Sequence, residues 1–259
     1  MSAPLELRGI SVRFGRFDAV SDVSLAVHAG EIVGLIGPNG AGKTVTFNVA
    51  SGLQRPRAGR VLIDGADVTG LPAHVRARLG LARTFQSPQL FAGMSVVENL
   101  AVAAHRFTSG GLLTDTLLYP LRRAALAEAR ERAEAVLRFL GLEELGGLDA
   151  GAIPIGITRL VELARAMCLR PRVLLLDEPA SGLDSHETRD FVELIAGIRG
   201  ALGCAVLIVE HDMDVIMPLC DEVVVMSEGQ RIASGTPAEV RENPAVVAAY
   251  LGAIATDAA

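Results

Sequence analysis

The sequence has no tryptophan, and aromatic residues make up only 4% of its 259 positions, so its core must be aliphatic. Cysteine is scarce as well. Cys168, Cys204 and Cys220 are scattered and odd in number, which excludes a disulfide framework and fits no zinc spacing. A reducing compartment is expected, with each thiol acting as a small core hydrophobe. Apolar stretches such as "VLLL" (Val173 to Leu176) and "AVLIV" (Ala205 to Val209) are strand-length. None approaches the roughly 18–20 residues needed to cross a bilayer. The start lacks a basic segment followed by an apolar run, so no secretion signal is expected. There is no excess of positive charge: the net charge is −6, which gives no electrostatic footprint for nucleic acid. What remains is a chain half hydrophobic, long enough for a substantial core. It reads as a cytoplasmic α/β protein, and composition leaves contact with a membrane protein open.

Order along the chain supports that class. "LELRGISVRF", "VSLAVHAGEIVGLIG" and "GRVLIDGADV" are β-branched, broken by glycines, and read as strands with turns. After Gly37 the pattern turns helical, "GKTVTFNVASGL", ending near Gly52. A longer helix fits Arg122 to Leu140, where Leu126, Ala129, Ala133, Val136, Leu137 and Leu140 share one face and Gly141 is the expected stop. Ser87 to about Arg159 reads as mainly helical. "VLLLDEP" and "AVLIVEHD" then look like parallel strands buried on both faces. No repeat or linker divides the chain, so the pattern is that of a helical insertion within one α/β domain.

"GPNGAGKT", Gly37 to Thr44, matches G-x-x-x-x-G-K-[ST], follows the apolar strand "EIVGLI" and opens a helix, the context that motif requires. Its glycines let the backbone wrap phosphate oxygens, with N–H groups pointing inward and the helix N-terminus adding attraction. Lys43 supplies a cation for the outer phosphates, and the Thr44 hydroxyl suits Mg²⁺. Asp177 and Glu178 close an apolar strand, where open α/β sheets place their ligands. Asp177 suits Mg²⁺, usually through water, and Glu178 suits the general base for an attacking water. His211 ends another strand and suits a γ-phosphate or that water. Gln86, in "TFQSPQ", has an amide oxygen for the metal or the water. Outside the phosphate loop, each of these residue types is also common in purely structural roles.

The ordered set resembles the ATP-binding subunits of ABC transporters over nearly the whole chain. "GPNGAGKT" is similar to the phosphate loop and "TFQSPQLF" to the glutamine loop. "VLLLDEP" is similar to the second nucleotide motif, "SGLD" (Ser181 to Asp184) to the dimer-contact loop, and "VEHD" to the switch-histidine segment. The resemblance implies an α/β fold with a P-loop NTPase core (RecA-like, mostly parallel sheet), an N-terminal antiparallel β subdomain and an inserted α-helical subdomain. It implies one nucleotide-binding domain over 1–259, with the helical part at about 87–160 and a family-type tail at about 235–254. It implies ATP and Mg²⁺, the nucleotide lying on Gly37, Pro38, Asn39, Gly40, Ala41, Gly42, Lys43, Thr44 and Thr46. Phe14 matches the aromatic that stacks on adenine, with Phe17 as the nearby alternative. Thr44, Gln86 and Asp177 are the implied metal ligands, and Lys43, Glu178, His211 and Gln86 the implied catalytic set. Asp184 is implied to contact the opposite protomer.

A narrower resemblance, to the ATPases of branched-chain amino-acid importers, rests on "GTPAEVRENPAVVAAYLG" (Gly235 to Gly252), "ARTFQSPQLFAGMSVVENLAVAAH" and the long helical stretch after it. Lipopolysaccharide-export ATPases have a comparable tail, but the insertion favours the importers. The implied partners are a second ABC ATPase subunit (an unlike pair rather than a homodimer), two transmembrane permease subunits seated near Gln86 to Arg106, and, indirectly, an extracytoplasmic solute-binding protein. The implied place is the cytoplasmic face of the inner or plasma membrane, held through the permeases. Three other readings remain: a soluble ABC protein acting on nucleic acid or ribosomes, a small-molecule kinase, and an ABC protein that binds ATP without useful turnover. The first is expected to need tandem units or extra domains, the second an acceptor pocket.

The resemblance departs at "IPIGITRLVELARAM". Where the family carries leucine-serine-x-glycine-glutamine, this chain has Ile153, Pro154, Gly156 and Ile157, with only the glycine kept. Pro154 offers neither hydroxyl nor N–H. The helix that follows keeps an apolar face of Leu160, Leu163, Ala164 and Met167, and Arg159 is expected to pair with Glu162. A weakened signature is expected, in which Gly156 and the helix N-terminus still face the opposite site's nucleotide.

Overall fold

The computed structural model describes residues 2–85, 89–104 and 119–257. They form two compact units, Met1–Arg83 with Arg172–Ala259, and Thr84–Pro171.

The first unit holds two sheets. Strands β1 (Leu5–Phe14), β2 (Phe17–Val27), β4 (Ala58–Ile63) and β5 (Ala66–Asp67) make an antiparallel sheet in the order β2-β1-β4-β5. The second sheet runs β10-β9-β3-β8-β7-β6, from β3 (Ile32–Ile36), β6 (Leu81–Arg83), β7 (Val173–Asp177), β8 (Ala205–Val209), β9 (Glu222–Ser227) and β10 (Gln230–Gly235). All its pairs are parallel except β9 with β10. Every residue of β3, β7 and β8 is buried, as their apolar lettering, closed in β7 by Asp177, requires of a strand covered on both faces. The stretch from Val23 to Gly37, read as strand lettering broken by glycines, belongs to the end of β2 and to β3. A turn at His28–Glu31 separates β2 from β3, closed by Glu31 N–H on the His28 carbonyl and by the Glu31 carboxylate on the His28 N–H.

Helix α1 (Lys43–Ser51) follows β3 and stops at Gly52, which is left-handed and returns its N–H to the Asn48 and Val49 carbonyls. The short helix α2 (Ala73–Arg78) brings in Arg76, fully buried at 1% exposure. Its guanidinium donates to Val49 O at 2.6 Å and Ala50 O at 2.9 Å, the carbonyls at the C-terminal end of α1, and to Leu71 O and Thr69 O. A cation there satisfies orphan carbonyls and suits the helix dipole. Burial still pulls the group's pKa down to about 10.

The second unit packs α3 (Val96–Ala104), α4 (Tyr119–Phe139) and α5 (Ile155–Cys168) around Val96, Leu100, Ala129, Ala133, Leu137, Val161 and Ala164. The apolar face expected on α4 holds from Ala129 onward, whereas Leu126 stays 54% exposed. Gly141, left-handed, follows the helix as expected. On α5, Leu163, Ala164 and Met167 are buried and Leu160 packs at the core's edge. Glu162 takes its i,i+3 partner on the other side, Arg165 at 3.0 Å. Helices α6 (Ser185–Leu202), α7 (Met213–Leu219), α8 (Pro237–Glu242) and α9 (Pro244–Asp257) belong to the first unit.

Candidate nucleotide-binding site

The loop from Gly37 to Gly42 joins β3 to α1 at the C-terminal edge of the parallel sheet, where ligands of such folds bind. Two glycines are required sterically. Gly37 has φ +149°, and a Cβ on it would lie 2.1 Å from the Met226 carbonyl oxygen; on Gly42, φ +93°, it would lie 2.6 Å from that of Ala19. Asn39 and Gly40 are exposed, Pro38 is half-buried, and Ala41 is buried with its N–H on the Pro38 carbonyl. Lys43 is 8% exposed and folds back, its Nζ donating to Gly37 O at 2.6 Å and Pro38 O at 3.0 Å. Burial pulls its ammonium below the ordinary value, and the Glu178 carboxylate raises it again. Thr44 is exposed at the start of α1. Thr46 is a correction: it is fully buried, its hydroxyl donates to the Met226 sulfur and its N–H to Gly42 O, so it faces the core rather than the open side of the loop.

The ends of β7 and β8 lie beside one another. Asp177 is buried, and its Oδ2 accepts from Arg83 Nη2 at 2.8 Å. Burial raises its carboxyl pKa, Arg83 lowers it, and Glu178 adds a smaller upward push. Glu178 is half-buried and left-handed, φ +44°, with its N–H on Val209 O at 2.9 Å. His211 is exposed. Its neighbour Glu210 is 1% exposed and accepts from the N–H of Ala180 at 2.8 Å and of His211 at 3.1 Å. Asp184 is exposed and caps α6, taking the N–H groups of His186 and Glu187, while Glu187 returns a bond to the Asp184 N–H.

Phe14 and Phe17 face each other across the β1–β2 hairpin, 50% and 66% exposed. Gln86 lies outside the described residues. Flanking it in the second unit, Phe85 N–H and Gln89 N–H both point to the Glu162 carboxylate, at 3.4 and 2.7 Å. Pro154 is the N-cap of α5 with no side-chain cap bond, and the Thr158 hydroxyl donates back to Pro154 O. Gly156 is exposed, with open space where a Cβ would stand.

The structure thus joins Lys43, Asp177 and Glu178 in the first unit and adds two residues that sequence reasoning missed, Arg83 and Glu210. Each is a charge beside an apolar strand run, "LAR" and "AVLIVE", and that was the available signal. Among the described residues no group of three or more His, Cys, Asp or Glu is placed to hold a metal, and no helix is long and apolar enough to cross a membrane.

The ABC transporter family matches residues 20–181, and the branched-chain amino acid ATP-binding cassette transporter family matches residues 230–255. The high-affinity branched-chain amino acid transport ATP-binding protein BraF of Pseudomonas aeruginosa is 44% identical over 97% of this chain and 99% of its own length. Its counterpart LivG of Escherichia coli is 43% identical over the same shares. The lipopolysaccharide export system ATP-binding protein LptB of Acidithiobacillus ferridurans is 36% identical over 97% of this chain and 98% of its own. Among solved structures, the ADP conformation of MJ1267, an ATP-binding cassette of an ABC transporter, superposes with a TM-score of 0.83 at 30% identity, covering 97% of this chain and 100% of that one. The fold is that of a P-loop NTPase cassette, and the chain belongs to the ABC transporter ATP-binding family.

Proposed function

We propose that this chain hydrolyses ATP to drive a membrane importer of branched-chain amino acids or related small polar solutes. The observation that carries the ATPase reading is the meeting of the phosphate loop with the β7 end: Lys43 is held at the mouth of its loop, within the field of Glu178. The tail's match to the branched-chain family and the names of BraF and LivG support the solute class.

In this reading Lys43 and the loop N–H groups bind the β- and γ-phosphates of ATP, and Phe14 stacks on adenine. The Thr44 hydroxyl and the Asp177 carboxylate are hard oxygen donors that fit Mg²⁺, with Gln86 as a further donor; phosphate oxygens and water complete such a site. The ion supplies charge neutralisation at the phosphates when bound. Glu178 takes a proton from the attacking water as its oxygen bonds to the γ-phosphorus and the bond to the β–γ bridging oxygen breaks. His211 donates to the γ-phosphate.

The working unit is a pair of ATPase subunits, this chain with an unlike partner, each signature covering the other's ATP. Asp184 meets the partner across that interface. Two permease subunits dock on the second unit, where Leu90, Phe91 and Val102 line an apolar groove of about 480 Å³ and Phe91 and Val102 are half exposed. In this reading the chain works on the cytoplasmic face of the membrane, with an extracytoplasmic binding protein delivering solute. Affinity purification of the tagged chain from membranes, followed by ATPase assay with and without solute-loaded binding protein, tests this. Co-purification with multi-span subunits and stimulated phosphate release are expected. Turnover that needs a phosphate acceptor other than water would instead mark a kinase.

A further inference from the structure

Glu210 has no role in the phosphate chemistry, yet it is the most deeply buried acid beside it, with a side chain 0% exposed. Its two oxygens divide between two segments. Oε1 accepts the Ala180 N–H at 2.8 Å, and Oε2 accepts the His211 N–H at 3.1 Å. The His211 ring Nδ1 is 3.8 Å from Oε2.

The Ala180 bond has a particular value. Glu178 stands in the left-handed region, φ +44°, which a side chain other than glycine's enters only when its surroundings impose it. Pro179 has no N–H. The two donors of the turn are therefore those of Glu178 and Ala180, and both are given to the end of β8: one to Val209 O at 2.9 Å, the other to Glu210. The strained turn is held from behind by consecutive residues, 209 and 210. The second of these also fixes the backbone that carries His211.

We propose that Glu210 is a positioning residue whose buried carboxylate clamps the turn bearing Glu178 to the segment bearing His211, so that both act from one fixed geometry. The proposal rests on the reading of Glu178 and His211 given above. A carboxylate is required because every partner is an N–H donor: an amide of the same shape offers one acceptor oxygen and turns its own N–H groups against a donor. Glu210→Gln thus keeps volume and loses the clamp. Glu210→Asp keeps the charge but is one methylene shorter.

The test uses the full chain with Glu210→Gln, Glu210→Asp and, as a reference, Glu178→Gln. ATP affinity, kcat, thermal unfolding and amide hydrogen exchange at Ala180 and His211 are measured on each. For Glu210→Gln the proposal expects ATP affinity within about twofold of wild type, kcat lower by about tenfold or more, and faster exchange at both amides. Glu210→Asp should fall between. Wild-type kcat in Glu210→Gln alongside an inactive Glu178→Gln would overturn the clamp alone. So would a loss of ATP affinity and fold in step with kcat in both Glu210 variants, which marks a core residue only. Normal turnover by Glu178→Gln would instead overturn the reading of the catalytic base, a separate and distinguishable result.

Discussion

Arg83 Nη2 lies 2.8 Å from Asp177 Oδ2, and each side chain is only one-tenth exposed. The same guanidinium donates to Asn48 Oδ1 at 2.6 Å and Ser51 Oγ at 2.9 Å and lies over the Phe47 ring, 4.7 Å from its centroid. One cation thus joins the ends of β6 and β7 to the last turn of α1. Removing it takes the Arg83 charge away from a buried carboxylate. Arg83→Ala is expected to cost about 3 kcal/mol of stability in denaturant unfolding. Arg83→Lys should recover only part of this, because an ammonium cannot span three acceptors and a ring as the planar fork does. A loss within measurement error for Arg83→Ala would show that the pair is not structural.

The signature departs chemically, and the structure shows where. Pro154 stands at the N-cap of α5, the position where serine would accept a helix N–H. Pro154→Ser with Ile157→Gln should stabilise α5 by about 1 kcal/mol through the cap. It should also raise ATPase activity or the stability of the ATP-bound pair, since serine offers the opposite γ-phosphate a hydroxyl. If neither turnover nor pairing changes, the weakened-signature reading fails.

Asp184 carries two assignments, a proposed contact with the partner and an observed cap. The backbone N–H groups of Glu187 and His186 hold its carboxyl pKa below the ordinary aspartate value. A depressed folded pKa contributes stability that is fully present above the unfolded value and is lost as pH falls through the folded one. The window therefore opens near pH 4 and runs downward. Asp184→Ala should lower the thermal midpoint at neutral pH and flatten its fall below about pH 4, whereas Asp184→Asn, which keeps an acceptor, should lose less at neutral pH. Parallel acid limbs in wild type and Asp184→Ala would contradict the cap's contribution.

The strands and the phosphate loop were legible because their physics is local. β3, β7 and β8 are buried on both faces and spelled in apolar letters up to Asp177 at the end of β7, and the loop must use glycine where a Cβ would strike Met226 O or Ala19 O. Arg83, Arg76 and Glu210 were not legible because their partners are distant in sequence: Asp177, the Val49 and Ala50 carbonyls, and the Ala180 N–H. Thr46 was misplaced for a related reason. The resemblance put it on the nucleotide, but the turn of α1 points its hydroxyl at Met226, 180 positions away. The expected pairing of Glu162 with Arg159 gave way to Arg165, whose guanidinium also donates to the Gln89 carbonyl.

The central claim is hydrolysis of ATP with Glu178 as the base, and Glu178→Gln tests it most directly. Gln keeps the size of the side chain and removes its capacity to take a proton. Measured with partners present, the variant should bind ATP with an affinity within about twofold of wild type and lose about two orders of magnitude or more in turnover. Phosphate release at the wild-type rate, with ATP still bound, would contradict the account.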